Sequence, residues 1–178
     1  MTDHPKFIGS ETVFEGRLYD VRLDTLQAPE GHTFRREMVY HPGAVCMIPV
    51  DGDGRLLLVK QYRHGARTRL LEIPAGTLEP GEDPAETAAR ELREEVGMRA
   101  GQVESLGGFW IAPSYATEYI HLFLCSDLTP DPLPGDEDED IEVVPLTRDE
   151  AVAAVDEGRI IDAKSIAGIL RWERLQGR

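Results

Sequence analysis

Three glutamates, Glu91, Glu94 and Glu95, stand close together in "GEDPAETAARELREEVGM", residues 81 to 98, a segment with helical spacing. Like charges at that spacing repel by roughly 0.2–0.5 kcal/mol per pair on an exposed helix. The chain has 178 residues and a formal net charge of −14, so its composition supplies nothing to offset them. Turned by about 100° per residue, Ala85, Ala88, Ala89, Leu92 and Val96 form one narrow apolar arc, and the three glutamates fill the arc beside it. Glu91 and Glu95, at i and i+4, can point both carboxylates at one spot, which is how oxygen ligands hold a hard divalent cation. A solvated acidic face, with Arg90 and Arg93 as countercharges, is the alternative, and the helix by itself does not separate the two.

The start and stop of this helix are legible. Asp83 fits an N-cap, Pro84 the first helical position and Glu86 the position three residues after the cap, while Gly97 ends the run. The preceding loop, "GTLEPGE", supplies Glu82 near the helix start, where it can pair with Arg90 or favour the helix dipole. Gly76, five residues, Glu82, seven residues, then Arg90-Glu91-Leu92-Arg93-Glu94-Glu95-Val96-Gly97-Met98 match the Nudix box without a departure. Seven fixed identities meet by chance with a probability on the order of 10⁻⁸ per start position at average residue usage. The chain is thus similar to the Nudix hydrolases, which cleave a nucleoside diphosphate linked to another moiety using Mg²⁺ or Mn²⁺. The resemblance implies that Glu91 and Glu95 are metal ligands, that Glu94 is a direct or water-mediated one, and that Glu82 with Arg90 braces the loop against the helix.

Further segments resemble the ADP-ribose pyrophosphatase branch of that family: "RREMVYHPGAV" (35 to 45), "KQYR" (60 to 63), "LLEIPAG" (70 to 76), Pro113 fifteen residues past the box, and "DAKS" (162 to 165). Relatives that cleave GDP-mannose share several of these. By this resemblance the backbone carbonyl of Ala75 binds metal, and Glu118 binds metal or acts as general base from a loop after the box. Where the branch often reads "SPGG", this chain has Ala112-Pro113-Ser114-Tyr115, and Tyr115 is expected to stack on a base or cover the site. Arg63, in the densest basic stretch of the chain, suits a clamp on phosphate oxygens because guanidinium forks match phosphates. Arg67 and Arg69 fit a solvated hairpin end better. Arg36 and Glu37 resemble residues that meet the nucleoside from an N-terminal strand, in relatives where a partner subunit supplies it, and strand-surface charges are the alternative. His41 and His121 are read as structural, and Trp110 and Trp172 as core.

The elements that must position these residues follow from periodicity and turn signals. Alternating runs from residue 12 to residue 40, broken by Pro29 and Gly31, predict antiparallel strands. Asp51-Gly52-Asp53-Gly54 between "GAVCMIPV" and "RLLLVKQYR" predicts a hairpin. "LLEIPAG", "VESLGGFWIA", "YIHLFLCSDL" and "IEVVPL" read as strands, "PDPLPGDEDED" as a solvated connector, and "RDEAVAAVDEG" and "AKSIAGILRWERL" as closing helices. The expected fold is an α/β/α Nudix sandwich with a mixed sheet: residues 1–40 form an N-terminal antiparallel strand extension used for dimerisation and part of the pocket, and 41–178 the hydrolase domain. So acidic a chain is not built for nucleic acid or an anionic membrane. No apolar run reaches the roughly 18 residues of a membrane span. The start "MTDHPKFIGSE" lacks the marks of a secretory signal, which predicts a cytoplasmic protein. The two cysteines, Cys46 and Cys125, are read as buried thiols. The function expected is Mg²⁺-dependent hydrolysis of ADP-ribose by a homodimer, against GDP-mannose or another nucleotide sugar as substrate, or a Nudix domain that only binds its ligand.

Overall fold

The apolar runs in the middle of the sequence become strands covered on both faces. The computed structural model describes residues 4–135 and 140–177. In chain order it contains β1 (Lys6–Glu15), β2 (Asp20–Gln27), β3 (Thr33–Tyr40), β4 (Ala44–Pro49), β5 (Leu56–Arg63), β6 (Thr68–Glu72), β7 (Ala75–Thr77), α1 (Pro84–Glu95) and β8 (Met98–Arg99). β9 (Gln102–Trp110), β10 (Tyr119–Ser126), β11 (Thr129–Pro130), β12 (Glu142–Leu146), α2 (Arg148–Asp156) and α3 (Ala163–Gln176) complete it. These group into two compact units: residues up to Gly43 with Trp110–Tyr119, and Ala44–Phe109 with the chain from Ile120 onward.

In the second unit, β7, β4, β10 and β9 lie in that order in one mixed sheet, β10 parallel to β4 and β7 antiparallel to it. β12, β5 and β6 form an antiparallel sheet. Side chains along β4 and β5 alternate between two cores. Cys46, Ile48, Leu56 and Leu58 meet Ala151 and Ala154 of α2 and Ile169 and Trp172 of α3, whereas Val45, Met47, Leu57 and Val59 meet Ala88 and Leu92 of α1. With both faces covered, these strands read as unbroken apolar runs rather than alternating ones. This is the α/β/α arrangement expected from the sequence. Both thiols are buried, and desolvation pushes Cys46 and Cys125 up to about 12.

Three local expectations are corrected. The Asp51–Gly54 turn forms, with Asp51 Oδ1 accepting from Asp53 N and Arg55 N at 2.9 Å each, but it does not close a hairpin. One bridge, Val50 to Leu56, joins the strands before they diverge into different sheets, because β4 takes β7 and β10 as partners while β5 takes β12 and β6. "LLEIPAG" is not one strand: it splits at Ile73-Pro74 into β6 and β7, which belong to different sheets. Pro74 has no N–H for a ladder. Its carbonyl accepts from Met47 N at 2.9 Å, and Ile73 N donates to Ser165 Oγ at 2.9 Å. Trp172 is core, but Trp110, the last residue of β9, belongs to neither core and is 55% exposed; it meets Tyr119 edge-on at 5.2 Å. The helix ends do match the sequence. Asp83 Oδ1 accepts from Ala85 N at 2.8 Å, and Gly97 takes φ +73° just beyond the last turn. The reciprocal capping box occurs at α2, between Thr147 and Glu150.

The first unit is an antiparallel sheet in the order β1, β2, β3. β1 begins at Lys6, well before the Thr12 expected, and register shifts between Phe7 and Gly9 and between Thr12 and Phe14 interrupt the alternation that would have announced it. Asp24 is buried there and accepts from Ser10 Oγ at 2.6 Å and Tyr40 Oη at 2.8 Å. Among the described residues no helix is long and apolar enough to cross a membrane. Of the acidic connector, residues 136–139 lie outside the described residues.

Candidate active site

The acidic flank of α1 is built around one guanidinium. Arg90 donates through Nε to Glu82 Oε1 at 3.2 Å and through Nη2 to Glu82 Oε2 at 3.3 Å. Its Nη1 reaches Glu91 Oε1 at 2.9 Å and Glu94 Oε2 at 2.8 Å. The hydrogen bond from Arg90, set against burial, holds the Glu82 carboxyl below its ordinary range. Reciprocally, Glu82 raises Arg90 further above its already high value. The repulsion among the glutamates is thus met, in the protein alone, by Arg90, one of the two countercharges that the sequence offers on the same helix. Glu95 is only 8% exposed, deeper than a surface flank, and its Oε2 accepts from Ala75 N at 2.9 Å. Strand β7 is thereby tied to the last turn of α1.

Gly76 is where strand and helix come closest. A Cβ added there would lie 2.0 Å from Cδ and 2.2 Å from Oε1 of Glu91, so the Glu91 carboxylate rests in the space that glycine leaves. The first glycine of the motif serves this close approach.

Arg63, at the end of β5, grips Glu72 of β6 with a two-pronged bond: Nε to Oε1 at 2.8 Å and Nη2 to Oε2 at 3.0 Å. Lys164 Nζ, from the first turn of α3, donates to the same Glu72 Oε2 and to Asp162 Oδ1. "KQYR", "LLEIPAG" and "DAKS" therefore meet in one charge cluster. Sequence reasoning singled out the segments and Arg63 but missed Glu72 and Lys164. The available signal was a glutamate inside an apolar strand and a lysine at a helix start.

Arg36, Glu37, Tyr115 and Glu118 belong to the first unit. The loop bearing Tyr115 is stitched to β3, which bears Arg36 and Glu37: Val39 N donates to Tyr115 O at 2.7 Å and Thr117 N to Val39 O at 2.9 Å. Ala112 O accepts from Tyr115 N and Ala116 N, closing the turn. Ser114 and Tyr115 are not among the residues with positive φ, so the turn forms without the glycines that the branch often has there. Arg36 lies over the Phe34 ring at 4.6 Å, and Tyr115 is exposed. Glu118 O accepts from Ile111 N at 3.3 Å. His41 is structural, its Nδ1 accepting from Gly43 N at 3.0 Å.

A family model for the NUDIX domain matches residues 39–167. The chain belongs to the Nudix family. It is 40% identical over 166 residues to a methanol dehydrogenase activator of Bacillus methanolicus, covering 92% of this chain and 90% of that protein. It is 37% identical over 166 residues to an ADP-ribose pyrophosphatase of Bacillus subtilis (strain 168), with the same 92% and 90% coverage. A crystal structure of an ADP compounds hydrolase superposes with a TM-score of 0.85 at 29% identity, covering 98% of this chain and 96% of that one.

Nudix hydrolases generally use divalent metal ions. Among the described residues no three His, Cys, Asp or Glu side chains are gathered so as to cage an ion as they stand. The donors nevertheless fit a hard cation. Glu91, Glu94, Glu95 and the Ala75 carbonyl offer oxygen alone, and Gly76 keeps the space around Glu91 clear of side-chain carbon.

Proposed function

We propose that this Nudix protein hydrolyses the pyrophosphate bond of ADP-ribose to AMP and ribose 5-phosphate. The observation that carries the reading is the run of three carboxylates on one flank of α1, seated against the glycine of β7 and steadied by Arg90 and Ala75. Glu91, Glu95, Glu94 and the Ala75 carbonyl would hold Mg²⁺, with Mn²⁺ as a substitute. Bound there, a divalent cation offsets phosphate charge and makes water a better nucleophile.

The chain's own residues do the rest. Glu82 and Arg90 hold the loop before α1, and Arg90 orients Glu91 and Glu94. Arg63 binds phosphate oxygens through its guanidinium. Arg36 and Glu37 meet the nucleoside, and Tyr115 covers or stacks on its base. Glu118 accepts a proton as water attacks one phosphorus, a role typically worth about 10²–10⁴-fold in rate. The bond to the bridging oxygen breaks, and the leaving group departs as a phosphate monoester that needs no proton.

Residues 1–40 are read as the dimerisation segment. β1 is an edge strand on which Phe7, Ile8, Val13 and Phe14 are exposed, a surface that soluble monomers avoid. Light scattering that found the full-length protein monomeric at micromolar concentration would remove this part. Buried free thiols suit a reducing compartment, in keeping with a cytoplasmic location. The substrate is tested with a panel of nucleoside diphosphate sugars and Mg²⁺: ADP-ribose is expected to have the highest kcat/KM, with loss of activity in a chelator. A higher kcat/KM for GDP-mannose would replace this substrate, and turnover of none of the panel would favour a domain that only binds its ligand.

A further inference from the structure

Glu72 has no part in the chemistry above, yet it sits at the centre of the most deeply buried charge cluster described in the second unit. Its side chain is 1% exposed, Lys164 is 12% exposed and Arg63 is 39% exposed. The anion is therefore sealed in, while the guanidinium it holds extends outward. Both oxygens of Glu72 are taken by the Nε and Nη2 edge of Arg63. Two parallel N–H···O bonds fix the plane of a guanidinium, which one bond cannot do.

The backing of Glu72 is rigid. Its chain neighbour Ile73 donates its N–H to Ser165 Oγ, and Asp162 Oδ1 accepts from Ser165 N at 3.1 Å, so the strand carrying Glu72 is tied to the capped first turn of α3. That turn also delivers Lys164 as a second cation on Glu72 Oε2.

The second cation makes functional sense if Arg63 has to be shared. A phosphate competing for Arg63 would otherwise draw it from Glu72 and leave a buried carboxylate uncompensated, which is strongly unfavourable. With Lys164 in place, Glu72 keeps a countercharge while Arg63 engages a second anion. We propose that Glu72 is a positioning residue for the hydrolysis: it aims Arg63 at the substrate's phosphates, and Lys164 is the countercharge that lets Arg63 be shared. The inference rests on the reading of Arg63 as the phosphate clamp.

The test is a double-mutant cycle of Glu72→Gln and Arg63→Ala. It reads kcat and KM for ADP-ribose at saturating Mg²⁺, and Mn²⁺ affinity by titration. Glu72→Gln is expected to lower kcat/KM by about 10²-fold, mainly through KM, as misplacement of a positioned group does. Arg63→Ala should do at least as much, the double variant should be no worse than Arg63→Ala alone, and Mn²⁺ affinity should stay at the wild-type value throughout. If the two losses multiply, Glu72 acts independently of Arg63 and the positioning role is overturned while the clamp stands. An unchanged KM in Arg63→Ala would instead remove the clamp and this proposal with it. Should Glu72→Gln fail to fold, the same cycle with Lys164→Gln, at the rim of the cluster, decides: a KM rise that disappears in the Arg63→Ala background supports the proposal, and multiplying losses or an unchanged KM overturn it.

Discussion

Replacing Gly76 by Ala perturbs the acidic flank with a single methyl group. The new Cβ would stand 2.0 Å from Glu91 Cδ, 2.2 Å from Oε1 and 2.3 Å from Cγ. Carbon atoms in contact settle about 3.5–4.0 Å apart, so the carboxylate has to retreat by about 1.5 Å. The backbone does not oppose the change, because Gly76 is not among the glycines with positive φ. The damage therefore falls on Glu91, a flexible side chain that can yield, and the folding cost should lie in the range of overpacking, about 1–3 kcal/mol. For a chain of this size that lowers the thermal midpoint by about 2–4 °C per kcal/mol. Activity should suffer more, since an error of about 1 Å in placement at a reacting site costs about 10²-fold. Initial rates of AMP release from ADP-ribose across a Mg²⁺ series, with the melting midpoint in chelator measured alongside, separate the two effects. Gly52→Ala, where an added Cβ meets nothing within 4 Å, is the control and should match wild type in both assays. A Gly76→Ala protein with wild-type kcat/KM and Mg²⁺ dependence would refute the placement of Glu91 in the reaction.

Glu95→Gln should cut turnover by about 10²-fold yet leave the metal-free midpoint nearly unchanged, because an amide oxygen can still accept from Ala75 N; a large metal-free loss with activity retained would make Glu95 structural instead. The Glu82 carboxyl is lowered from 4.5 by Arg90, so its contribution to stability is complete above that value and is lost as pH falls through the lowered one. The midpoints of wild type and Glu82→Gln should accordingly differ at neutral pH and converge below about 4.5; a constant gap down the acid limb contradicts the pairing. Arg67, at the tip of the β5–β6 hairpin, has φ 53°, so Arg67→Gly should stabilise by about 0.5–1 kcal/mol in urea unfolding, relief of left-handed strain outweighing the added chain entropy. No gain there would mean that contacts of the Arg67 side chain offset the strain.

What the sequence determined by itself is local. The bounds of α1 follow from Asp83, Pro84 and Gly97, whose effects act within one turn. The flank shared by Glu91, Glu94 and Glu95 follows from helical periodicity alone, and the family motif follows from spacing. The doubly covered strands were legible as apolar runs, because burial on two faces leaves no room for polar residues. Tertiary structure decided everything that depends on which distant segments meet. Whether Asp51–Gly54 closed a hairpin depended on what other partners β4 and β5 would find, and two of those, β10 and β12, lie far along the chain. Arg90 as a countercharge to the acidic flank, and its pairing with Glu82, were legible in the sequence because each partner lies within eight positions of Arg90, but the seating of Glu95 against Ala75 N, twenty positions away, was not. Glu72 and Lys164 are separated by 92 positions, and neither position carries a local pattern that calls for the other. Charge pairing across such a distance is set by where strands and helices dock, so a buried glutamate reveals its purpose only when the chain is folded around it.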